Sequence, residues 1–82
     1  MSGYEERAFY VTAMTLDNTL RAIDQAIEHL EGRQAVRHFP HLPSFDILIN
    51  ELRQIRQQVF DEFNRIIEER FPRYPRFPPE SR

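Results

Sequence analysis

The chain contains no cysteine, no tryptophan and no lysine, and it has only two glycines in 82 residues. Each absence closes a class of function. Without Cys there is no disulfide framework, no thiolate metal site and no thiol nucleophile. With Gly only at Gly3 and Gly32, no Gly-rich phosphate loop can form. No apolar run approaches the roughly 18 residues of a membrane helix. The first residues, Met1 to Arg7, put acidic groups where a secretory signal needs a basic stretch and then an apolar core. A cytoplasmic, membrane-independent protein is therefore expected. All 11 basic residues are Arg, outweighed by 13 acidic ones for a net charge of -2. That balance argues against a general nucleic-acid binder, which needs net positive charge on its binding face.

What is present is helical periodicity. Ser2-Gly3-Tyr4-Glu5 fits a capping box, in which a Ser oxygen and a Glu three residues on satisfy each other's backbone donors. Apolar side chains then recur at Phe9, Ala13, Leu16, Leu20, Ile23, Ile27 and Leu30, alternating steps of four and three. This is the heptad rhythm of a helix with one packed seam. Gly32 is the natural stop, since Gly adopts the left-handed conformation cheaply. A helix over about 3–31 is expected. The rival reading makes Phe9–Thr15 a strand, with Thr15 capping a shorter helix. A second helix, over about 44–70, starts from Ser44 as N-cap with Asp46 at its positive end. It carries Phe45, Leu48, Ile49, Leu52, Ile55, Val59, Phe60, Phe63, Ile66 and Ile67, and Pro72 ends it. The matched lengths predict an all-α fold: an antiparallel two-helix hairpin over residues 1–71, with a Pro/His loop at 32–43.

The two apolar faces differ in width. The first helix has an arc of roughly 100°, the second one of roughly 160°. A helix that touches one neighbour does not need so wide a face. Tyr10, Val11 and Met14 also stand off the main seam of the first helix. So small a core is marginal alone, and pairing of two hairpins into a homodimeric four-helix bundle would cover the excess. Tyr10, Val11, Met14, Phe60 and Phe63 are the expected dimer or partner interface. Arg56 falls inside the apolar arc, where an unpaired guanidinium is costly. If Glu31 lies opposite Ser44, facing residue numbers sum to about 75, and Arg56 is expected to pair with Asp17, within the hairpin or across the dimer.

The segment 72–82 reads as an extended Pro-rich tail. Phe71-Pro72-Arg73-Tyr74-Pro75-Arg76-Phe77-Pro78-Pro79 repeats with period three, the period of polyproline II. That conformation would align Phe71, Tyr74 and Phe77 on one edge and Arg73 and Arg76 on another. From Arg70 to Arg82 there are four Arg and one Glu, so positive charge is concentrated here. Phe71, Arg73, Tyr74, Arg76 and Phe77 are the expected partner-binding residues, unless the tail docks on its own bundle as a staple.

Catalytic and metal signals are weak. His38 and His41 could share an edge of the loop, but two ligands do not close a metal site, and no Glu-x-x-His pair is present. Arg33 and His38 fit a loose Arg-x4-His spacing that 11 Arg and three His would produce by chance. The expectation is a non-enzymatic interaction module, with no catalytic residue, cofactor or metal. Its partners would be a second copy and an unidentified protein. A small nucleic-acid regulator using the Arg tail, or a metal or hydrolytic site at His38 and His41, stand as alternatives.

Overall fold

A computed structural model of the chain describes residues 3–34 and 44–74. It is all-helical: α1 spans Gly3–Gln34 and α2 spans Asp46–Arg70, packed side by side. Ser2 of the expected capping box, the loop at 35–43 and residues 75–82 lie outside the described residues.

The strand reading of Phe9–Thr15 does not hold; this stretch is continuous helix. β-Branched residues lower helix propensity only slightly, and each Thr hydroxyl here bonds back to its own helix. Thr12 Oγ1 donates to the Ala8 carbonyl at 2.8 Å, Thr15 to Val11 at 2.8 Å, and Thr19 to Thr15 at 2.7 Å.

The helix ends fall later than the local stop and start signals imply. α1 runs through Gly32 to Gln34, and neither glycine has a positive φ. The side chain of Gln34 supplies the reason. Its Oε1 accepts the Phe45 N–H at 2.6 Å, and its Nε2 donates to Asp46 Oδ1 at 2.7 Å. One amide thus ties the end of α1 to the start of α2. Ser44 is not the N-cap; Phe45 is, without a side-chain cap bond, while Ser44 Oγ accepts the Asp46 N–H at 3.2 Å.

These ends set the register. Gln34 meets Asp46, Asp24 meets Arg56, and Phe9 meets Phe71. In each pair the residue numbers sum to 80, not 75. The buried side chains follow from that register: Leu16, Leu20 and Ile27 on α1, with Ile49, Phe60, Ile67 and Phe71 opposite. Leu16, Leu20 and Phe60 form the central cluster, with Val59 and Phe63 packed on it. The core is a single line of side chains along the seam.

Gly32 sits in helical backbone, and a Cβ placed there would meet nothing within 4 Å. Gly32→Ala should therefore stabilise the hairpin by about 0.5–1 kcal/mol, raising Tm by a few degrees. A left-handed C-cap would give a loss instead, so thermal unfolding followed by circular dichroism decides between them.

Candidate interaction surface

The hairpin has two long sides flanking its seam, and they are chemically opposite. On one side the helices are bridged by charge. Arg56 Nε donates to Asp24 Oδ1 at 2.7 Å and Nη2 donates to Oδ2 at 3.2 Å. This is a two-point guanidinium–carboxylate pair, the stronger and more directional kind. The Arg56 side chain is only 18% exposed. One turn along, Arg53 Nη2 bonds Glu31 Oε2 at 2.6 Å. Within the hairpin the expected Arg56–Asp17 pair is not formed. Asp17 pairs with Arg21 on its own helix at 3.0 Å, and the later register brings Asp24 to Arg56 in its place. The notch beside the pair is lined by Asp17, Leu20, Arg21, Asp24, Gln25, Glu28 and Arg56. Among the described residues no group of three His, Asp or Glu is placed to hold a metal. His38 and His41 lie outside them.

The open end of the hairpin is closed by three aromatic rings. Phe71 packs edge-on against Phe9 with centroids 5.7 Å apart, and Tyr74 stacks on Phe9 at 4.4 Å. Phe71 is 9% exposed and belongs to the core. Its N–H donates to the Ile67 carbonyl at 2.8 Å, and the Tyr74 N–H donates to the Phe71 carbonyl at 3.0 Å. That second bond makes residues 71–74 a turn, because polyproline II has no internal hydrogen bonds. Phe71 and Tyr74 are therefore part of the hairpin's own packing and not a partner-binding edge. Burial against the helix, followed by the carboxylates of Glu5 and Glu6, pushes the Tyr74 phenol above its ordinary range. Arg73 is exposed; Arg76 and Phe77 lie outside the described residues.

No protein-family model, no curated protein and no solved structure matches the chain. The reading of the surface therefore rests on its own chemistry.

The expected interface residues separate into two groups. Tyr10, Val11 and Met14 are exposed on α1. Phe60 and Phe63 are not available as an outer surface. Phe60 is 9% exposed against Leu16 and Leu20, and Phe63 is half-buried on the same cluster. The wide arc of α2 splits instead along a different line. Ile49, Arg56, Phe60, Phe63 and Ile67 face α1. Leu48, Leu52, Ile55, Val59 and Ile66 form a second stripe, about 90° round the helix by its 3.6-residue turn. Leu48 is 50% exposed and Ile55 is 44% exposed. This stripe repeats by four, three, four and seven; the step of seven passes over Glu62, which is exposed, so the apolar ridge is unbroken from Leu48 to Val59 and resumes at Ile66. It lies on the side of the hairpin away from the Arg56–Asp24 and Arg53–Glu31 bridges. Arg65 on the outer surface of α2 is held by Glu62 and Glu69, and its hydrogen bond lowers the Glu62 carboxyl below its ordinary range. Among the described residues no helix is long and apolar enough to cross a membrane.

Two substitutions test these assignments. Asp24→Ala removes the two-point partner of a half-buried guanidinium and should cost about 1–2 kcal/mol, whereas Asp17→Ala should cost under about 0.5 kcal/mol. Urea melts of the two variants give the comparison, and equal losses would contradict the register. Phe9→Ala removes the ring that both Phe71 and Tyr74 contact. It should cost about 2–3 kcal/mol and abolish the tyrosine near-UV circular dichroism signal that stacking produces.

Proposed function

We propose that the chain is a non-enzymatic protein–protein interaction module, a small cytoplasmic adaptor, assembly factor or regulator, that works as a homodimer of hairpins in a four-helix bundle. The observation that supports this most is the second stripe of α2. Leu48, Leu52, Ile55, Val59 and Ile66 repeat with the spacing of a packed helix face, yet Leu48 and Ile55 are exposed and the other three are only half-buried. Monomeric proteins rarely leave a contiguous apolar face of this length in water, and such faces mark association sites. The small seam adds a reason. Two helices bury one line of side chains, and chains of this size ordinarily need further burial from association or a cross-link. With no Cys, a disulfide is excluded.

A homodimer would leave the aromatic and methionine surface of α1, around Tyr10 and Met14, on its outside. Together with Arg73 and the Pro-rich segment that follows, this would be the surface offered to a protein partner. The adaptor role thus separates two tasks, self-association through the α2 stripe and partner capture through the outer surface of α1.

The mass in solution tests the reading. A chain of 9.9 kDa should sediment or scatter at about twice that mass at micromolar concentration. Ile55→Glu should return it to the monomer mass while circular dichroism still reports helix. A wild-type chain that remains at 9.9 kDa under these conditions would contradict the proposal.

A further inference from the structure

The side of the hairpin that carries the α2 ridge has a second component on α1. Ala8, Thr12, Thr15, Thr19, Ala22 and Ala26 follow one another by four, three, four, three and four residues. They form a line parallel to the ridge, and Ile23 and Leu30 lie between the two. No charged residue interrupts it from Ala8 to Ala26. The three hydroxyls in the line already donate to carbonyls of their own helix. Their donors are therefore already satisfied. The face is thus half ridge, built of Leu, Ile and Val with Glu62 among them, and half shallow strip, built of Ala and Thr.

We infer that a second copy of the chain covers this face, with the two-fold axis parallel to the helices, so that the α2 ridge of each copy seats on the α1 strip of the other. The inference rests on the homodimer reading and specifies its geometry. Three features favour this occupant. The first is shape. A two-fold interface must be self-complementary, and only this axis puts large side chains over small ones on both halves. An axis perpendicular to the helices would set ridge on ridge and strip on strip, leaving one half overpacked and the other open. The second is register. With facing numbers summing to 80 within a copy, this axis sets Ile55 over Ala26, Val59 between Thr19 and Ala22, and Ile66 between Thr12 and Thr15. The third is charge. Beside the ridge, α2 carries Glu51; about one turn from its level, Arg33 continues the line of the strip on α1. The perpendicular axis brings the acidic border of α2 against its own copy.

The extent of the face is adequate. From Leu48 to Ile66 it runs about 27 Å at 1.5 Å per residue, across a hairpin 18 Å wide. That is roughly 500 Å² per copy, or about 1,000 Å² in total, where specific interfaces begin.

The natural chain has no Cys, so single-cysteine variants give a clean test. Tagged Ala26→Cys and untagged Ile55→Cys chains are refolded together and oxidised, beside each variant alone. Both positions lie outside the seam, and circular dichroism verifies that helix content is kept. The expected result is a mixed disulfide of tagged with untagged chain in high yield, with little cross-linking of either variant alone. Cross-linking of Ile55→Cys to itself, or a dimer that yields no mixed disulfide, overturns the geometry and leaves the homodimer reading intact. A particle of 9.9 kDa removes both. As a second readout, Arg33→Glu should weaken the dimer several-fold, and adding Glu51→Arg should restore it.

Discussion

Two helices packed side by side can bury one stripe each, and the rest of this molecule follows from that limit. The seam takes Leu16, Leu20 and Ile27 from α1 and Ile49, Phe60, Ile67 and Phe71 from α2. Whatever apolar surface remains must be covered by something else or stay in water. One flank is bridged by the Arg56–Asp24 and Arg53–Glu31 ion pairs. On the other flank the ridge of α2 remains. The asymmetry of the flanks would therefore direct an association to one side.

The seam is held in register at three levels. Gln34 fastens the loop end, Arg56 and Asp24 fasten the middle, and Phe9 with Phe71 and Tyr74 fasten the open end. Heptad repeats are nearly indifferent to a slip of seven residues, since apolar positions recur at that interval. The aromatic cluster is not indifferent. A slip of one heptad would still present a carboxylate, Asp17 or Glu31, to Arg56, but it would pull Phe9 away from Phe71. The aromatic end and the Gln34 amide therefore discriminate the register more than the ion pair does.

Much of this was legible in the residues, for reasons that differ by level. The period of four and three in α1 is a direct image of its buried stripe, so the helix and its inward face could be read. The excess width of the α2 arc could be read too. Its division could not, because Phe60 and Ile55 are both apolar and only the angular setting of α1 decides which one is buried. That setting depends on register, and register depends on a few residues at the turn. There the usual signals misled. Gly32 looked like a stop and Ser44 like a cap, while the Gln34 amide, a side chain with no characteristic spacing, carried the connection. A shift of five in the facing sum then moved the partner of Arg56 from Asp17 to Asp24. Phe71 was misassigned for a related reason. Its period-three neighbours imply an extended strand of polyproline II, yet burial of one ring against Phe9 outweighs that preference and turns the chain back onto α1.

The Thr residues of α1 illustrate how local bonding alters the character of a surface. By composition, Thr12, Thr15 and Thr19 make their flank polar. Bonded to their own backbone, their hydroxyl donors are already satisfied, and the side chains are small. Such side chains slightly weaken the helix that carries them. The same bonds remove the desolvation cost that unpaired hydroxyls would impose on a partner. A strip of this kind is poor as a core, since it has little bulk to bury, but it allows another helix to approach closely. The chain thus places its bulk on α2 and its hollow on α1, and each half of the face lacks what the other half supplies. A monomer cannot use that complementarity, because its two flanks point the same way. A symmetric pair would use it twice.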